Sequence, residues 1–140
     1  MQYNSRKYNF MKVLKPIFFF IFCLLFCLQA ESQDILSNIP SALKTANTSI
    51  IAKNFDKRVD ITIDENSDNY SNEQAEIILK SFLGRFSNRE FSIVHKGTST
   101  EGAQYIIGGL KTNVGKYRTY IYIKKSDGIN YIQEIRFEKE

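Results

Sequence analysis

From Phe91 to the C-terminus, apolar and polar side chains alternate almost without interruption, the period-two pattern of strands with one face buried. The clearest part is KYRTYIYIKK-SDG-INYIQEIRFEK, residues 116–139, two β runs about an Asp-Gly turn. Tyr117, Thr119, Ile121 and Ile123 share one parity in the first run. In the second, Ile129, Tyr131, Gln133, Ile135 and Phe137 share one. A two-residue turn at Asp127-Gly128 sets Ile123 opposite Ile132 and sends these two sets to opposite faces. A three-residue loop, Ser126-Asp127-Gly128, instead places Ile123 opposite Tyr131, Ile121 opposite Gln133, Thr119 opposite Ile135 and Tyr117 opposite Phe137, with Gly128 in the left-handed region. A one-residue slip would turn about four large apolar side chains to water at roughly 1.5–3 kcal/mol each, so the three-residue loop is expected. Gln133 then needs a hydrogen-bond partner on the buried face, or it marks where that face becomes wet.

Upstream the period changes. Asp34 to Thr45 spaces Ile35, Ile39, Ala42, Leu43 and Ala46 as one helical stripe with Asp34 as N-cap, and Pro40 either lies in the first turn of a helix starting near Ile39 or kinks a longer one. Thr48 to Phe55 reads as a second short helix. Val59 to Asp64 alternates as a strand, and Glu65 to Tyr70 as an acidic loop. Ser71 and Gln74 form a capping box before Ala75, Ile78, Leu79, Phe82 and Phe86, the strongest helical pattern in the chain. Strands are then expected at Phe91 to Lys96 and Ala103 to Leu110. Gly108-Gly109 marks a bulge or bend that leaves open whether Ile106 or Ile107 faces inward. The class is α+β: N-terminal helices, one strand, a long helix, then a four-stranded antiparallel meander with the helices on one face.

The first 32 residues read as an address. Arg6, Lys7, Lys12 and Lys15 precede Ile17 to Leu28, an uncharged run of signal-peptide length and short for a membrane span. Cleavage is expected after Ser32, or alternatively after Ala30, leaving residues 33–140 as a single exported domain, periplasmic or secreted; Met11 is an alternative start. Bulky residues before Cys23 and Cys27 argue against lipid attachment. Removing residues 1–32 takes four of the 19 basic and one of the 15 acidic residues, so 15 face 14, and the pI of about 9.0 belongs mostly to the leader. A near-neutral domain without a basic stripe is no match for nucleic acid. Both cysteines leave with the leader, so packing alone must stabilise the fold.

Motifs that carry chemistry are few. Asp64 to Asp68 opens like a calcium loop, yet Asn69 stands at the glycine position and Ala75 at the bidentate glutamate. Gly109 to Lys116 has the wrong glycine spacing for a phosphate loop, and Tyr117 follows where Ser or Thr is required. His95, the one histidine, shares parity with Phe91 and Ile93, which would aim it inward, but no second histidine or cysteine accompanies it, so no metal or other cofactor is implied.

FSIVHKGTS at 91–99, AQYIIGGLKT at 103–112, YRTYIYIKK at 117–125 and the ending IQEIRFEKE resemble the domain of unknown function 4783 family of small exported Bacteroidetes proteins. The resemblance spans the mature chain. It implies a nuclear transport factor 2-like or cystatin-like cone, a sheet bent around a long helix, and it transfers no catalytic residue. Such a cone is expected to act as a non-enzymatic binding or interaction module for a small molecule, peptide or protein, as a monomer or weak dimer with no membrane span after cleavage. Lysine-rich strand ends at Lys111, Lys116, Lys124 and Lys125 favour that reading. The alternative is a small isomerase-type enzyme using a Tyr/His pair or a carboxylate in the cone, although the strand parities turn Asp60, Glu134 and Glu138 outward. The candidate ligand residues are His95, Tyr105, Tyr117, Thr119, Tyr131 and Gln133.

Overall fold

The computed structural model describes residues 35–140. The expected signal peptide, its cleavage site, Cys23, Cys27 and the Asp34 cap lie outside the described residues. Three helices, α1 (Ile35–Thr45), α2 (Thr48–Ala52) and α3 (Asn72–Leu83), accompany six strands: β1 (Phe55–Ile63), β2 (Asn66–Ser71), β3 (Arg89–Thr98), β4 (Gln104–Thr112), β5 (Gly115–Ser126) and β6 (Ile129–Lys139). They form one sheet in the order β2-β1-β6-β5-β4-β3. The last four strands make the expected antiparallel meander, and β1 joins β6 in parallel. Because β2 and β3 are the two edges, the connection through α3 carries the chain from one side of the sheet to the other.

The helices cover one face. Phe82 of α3 meets Phe137 at 4.6 Å between ring centroids and Tyr117 edge-on at 5.3 Å, so its side chain fills the space beneath the middle of the sheet. The capping box forms as expected: Ser71 Oγ accepts from the Gln74 N–H at 3.4 Å, and Gln74 Oε1 from the Ser71 N–H at 3.2 Å. Helix α1 runs through Pro40 with Ile35, Ile39, Ala42 and Leu43 buried. It ends in a Schellman motif: the Asn47 N–H donates to the Ala42 carbonyl at 2.9 Å and the Ala46 N–H to that of Leu43 at 3.4 Å, with Ala46 left-handed at φ 55°. Arg89 then ties both helix ends to β3, donating to the Leu83 carbonyl at 2.9 Å, the Lys44 carbonyl at 3.3 Å, and the Phe86 carbonyl.

Two element boundaries differ from the pattern. Helix α2 stops at Ala52, and Phe55, buried, begins β1 rather than closing a helix. The acidic stretch after Asp64 is not a loop but strand β2, paired from Asn66 with Ile63 to Ser71 with Arg58. An edge strand that buries little of either face needs no apolar alternation, so backbone pairing alone defines it. The oxygen-bearing side chains of that stretch are thereby spread along an extended strand, not gathered as a cation loop would require.

The β5–β6 hairpin corrects the expected register. Its turn has two residues, with Ser126 paired to Ile129 and both Asp127 (φ 52°) and Gly128 (φ 83°) left-handed, as a type I′ turn demands. Ile123 does face Ile132. The apolar sets are reconciled by a β-bulge: Tyr122 pairs with Glu134 and Ile123 with Ile132, which leaves Gln133 as the extra residue. Parity switches there, so Ile132, Ile135 and Phe137 all point into the core, while Tyr131 falls opposite Lys124 and leaves the core face. Gln133 donates to Asp56 Oδ2 at 2.9 Å.

A second bulge lies in β3, where Ile93 pairs with Gly108 and His95 with Ile107. Val94 is the extra residue, 75% exposed. The expected irregularity at Gly108-Gly109 is therefore on the opposite strand, while the glycines stay in register with Thr119 and Arg118. Gly108 lies under the Phe91 ring, and an added Cβ there would sit 2.4 Å from Phe91 Cζ. Ile106 is the inward residue and Ile107 the outward one.

Candidate functional site

The face of the sheet turned away from the helices carries the alternate residues of each strand. Tyr105, Ile107, Gly109 and Lys111 of β4 stand opposite Tyr122, Tyr120, Arg118 and Lys116 of β5, and Tyr120 and Arg118 in turn stand opposite Arg136 and Glu138 of β6. Gly109 leaves its rung without a β4 side chain, and a Cβ there would meet nothing nearer than Ser92 Oγ at 3.9 Å. In this neighbourhood a depression of about 270 Å³ opens, lined by Ile107, Arg118, Tyr120, Arg136 and Glu138.

The depression has one fixed cation and one unengaged one. Arg136 Nη2 donates to Glu134 Oε1 at 2.5 Å, its Nη1 lies 3.7 Å from a Glu138 oxygen, and its guanidinium stands 5.8 Å from the Tyr120 ring centroid. The bond to Glu134 pushes the Arg136 pKa above its ordinary value. Burial, and then the Glu134 charge, raise that of the Tyr120 hydroxyl, so Tyr120 is a neutral donor here. Arg118 is exposed and has no ion pair among the described residues. Tyr105 stacks on Tyr120 at 6.5 Å and 24°, and its hydroxyl lies 3.2 Å from His95 Nε2, so an aromatic band runs from β3 to β5 beside the depression.

The six residues singled out by sequence fall into three places. Tyr117 and Thr119 are core: Tyr117 packs on Phe82 and Phe86, and Thr119 is 0% exposed with no partner for its hydroxyl among the described residues. His95 and Tyr105 meet each other on the helix-free face, because the Val94 bulge reverses the parity expected of His95. Tyr131 and Gln133 sit at the start of β6, outside the core, with Gln133 engaged by Asp56. Asp60 and Glu138 are exposed and Glu134 pairs with Arg136, so these strand acids face away from the helices as their parity requires. The lining residues were overlooked, although one signal was legible: the outward parity of YRTYIYI carries Arg118, Tyr120 and Tyr122, and two tyrosines on a parity meant for water suggest a surface that is used.

Residues 36–138 match the model of the domain of unknown function family DUF4783, and the chain belongs to that family. Its fold is similar to the crystal structure of a DUF4783 family protein from Bacteroides uniformis, at TM-score 0.71 and 24% identity over 76% of this chain and 98% of that one. It is also similar to an NTF2-like (nuclear transport factor 2-like) protein of unknown function from Cytophaga hutchinsonii, at TM-score 0.56 and 11% identity over 80% and 92% of the two chains. A cystatin-like protein of unknown function from Nostoc punctiforme aligns at TM-score 0.60 and 9% identity over 76% and 86%. No curated protein matches the sequence. At these identities the likeness is one of fold. Among the described residues no helix is long and apolar enough to cross a membrane, which leaves strand-built spans unaddressed.

Proposed function

We propose that this DUF4783 chain is an exported, non-enzymatic binding module that receives a small molecule or the end of a peptide on the helix-free face of its sheet. The observation that carries this reading is the depression of about 270 Å³ lined by Ile107, Arg118, Tyr120, Arg136 and Glu138, which combines an aromatic wall with an unengaged guanidinium. Export rests on the basic and apolar pattern of residues 1–32. The cone interior is a poorer place for a ligand, because Phe82, Phe86, Tyr117 and Phe137 meet ring to ring there. An isomerase-type reading would rest on the His95–Tyr105 pair at 3.2 Å, but that pair is open to water and has no carboxylate hydrogen-bonded to it. Native mass spectrometry of the protein taken from its own source tests the proposal. A retained ligand that is lost on Tyr120→Ala supports it, and a bare chain in every preparation counts against it.

A further inference from the structure

We infer that the depression takes a carboxylate borne on a flat apolar body, with Arg118 as its guanidinium partner; this rests on the open face being the ligand site. Three charged side chains line the depression, and two are engaged: Arg136 is held by Glu138 and by Glu134, which lies outside the lining, and it leans on Tyr120. Arg118, the third, has no ion pair among the described residues, although Glu138 is its cross-strand neighbour. The next rung on the same face is Lys111 opposite Lys116, both exposed and without ion pairs among the described residues. Acids offset those lysines, Glu90 standing opposite Lys111 and the Glu140 N–H donating to the Lys116 carbonyl, so the group left for an anion is Arg118, whose guanidinium presents a planar fork that matches a carboxylate in two parallel hydrogen bonds.

The other walls choose among anions. Ile107 and the Tyr120 ring, itself stacked on Tyr105, offer apolar and aromatic surface that an inorganic ion would leave uncovered. Glu138 on the rim repels a second negative charge, so a monoanion suits the site better than a dianionic phosphate.

The test is backbone amide shift mapping on the full-length chain with benzoate, benzylamine and inorganic phosphate as probes. Benzoate is expected to shift Ile107, Arg118, Tyr120 and Arg136 with a Kd on the order of 1 mM, as befits a probe of this size. Arg118→Gln should weaken it about tenfold or more, through loss of the charge-assisted pair, while leaving the rest of the spectrum unmoved because Arg118 holds nothing else in place. Lys53→Gln, at the exposed C-cap of α2, should change nothing. Benzoate binding that is indifferent to Arg118→Gln overturns the inference. Shifts with phosphate or benzylamine in place of benzoate, or shifts that grow with protein concentration and no probe, also overturn it: they would assign the depression to a bare anion, a cation or a second copy. A ligand retained from the native source but insensitive to benzoate leaves the open-face reading standing alone, whereas silence from every probe together with a bare native chain removes both.

Discussion

Thr119→Val is the sharpest probe of how this core is built. Thr119 is 0% exposed, in the middle of β5, with Gly108 on one neighbouring strand and Phe137 on the other, and its hydroxyl has no hydrogen-bond partner among the described residues. An unpaired buried hydroxyl costs about 1–3 kcal/mol, and a shape-matched apolar replacement escapes that cost. Valine retains the β-branch suited to a strand and adds roughly one methyl's worth of burial, on the order of 0.8 kcal/mol. Some of this gain is lost to imperfect repacking around a group unlike the hydroxyl, so the expected net stabilisation is about 1–2 kcal/mol. For a domain of about a hundred residues that corresponds to a rise in Tm of roughly 4–10 °C, read by thermal melts, and to a higher urea midpoint at unchanged m-value. Thr119→Ser should cost about 1 kcal/mol for its lost methyl, which shows that the site responds to packing as a core position does. A destabilised valine variant would refute the reasoning. It would mean that the hydroxyl is satisfied, by an internal water or a bound molecule, and would return Thr119 to the ligand site that the hairpin's sequence suggested.

Other positions offer independent checks. Ala46→Gly relieves a left-handed alanine at φ 55° in the Schellman motif and should stabilise the domain by about 0.5–1 kcal/mol, less whatever the alanine methyl contributes against the core, with chemical denaturation as the readout. Arg89→Ala leaves the Leu83, Phe86 and Lys44 carbonyls without their shared donor, and a loss of about 2–3 kcal/mol is expected in the same assay. The Gln133 bond, then the Lys57 backbone N–H, hold the Asp56 pKa below its ordinary 3.8. A depressed carboxylate pKa contributes stability that is present above that ordinary value and lost as pH falls through the folded one. The stability gap between the natural chain and Gln133→Ala should therefore be open at pH 7 and close below 3.8; a gap that persists at the acid end contradicts the assignment.

Within the antiparallel meander, the expected register and the structure part company at two residues, Gln133 and Val94. The apolar sets of the β5–β6 hairpin were legible from their spacing, and so was the conflict between them when Asp127-Gly128 is a two-residue turn. Two remedies were physically open: lengthen the turn or insert a bulge. Spacing favoured the longer turn because it keeps both strands regular. The structure keeps the type I′ turn that Asp-Gly suits and bulges at Gln133, whose side chain finds Asp56 on β1, a residue 77 positions away. Neither that partner nor the parallel β1–β6 pairing is visible from within the hairpin. At Val94 the register is again a cross-strand matter: Phe91 lies over Gly108 of the neighbouring strand, and the extra residue follows beyond it. His95 is carried to the open face as a result.

The capping box, the helical stripes, the meander and the inward face of β5 were thus determined by the sequence itself, because each depends on side chains within a few residues of one another or on a period that a single segment displays. What tertiary structure alone decided was which parity of β3 and β6 faces the core beyond each bulge, the pairing of the polar strand β2, and hence the gathering of Ile107, Arg118, Tyr120, Arg136 and Glu138 from three strands around one depression. Those outcomes turn on cross-strand register, and register is set by contacts between residues far apart in the chain, which no local period records.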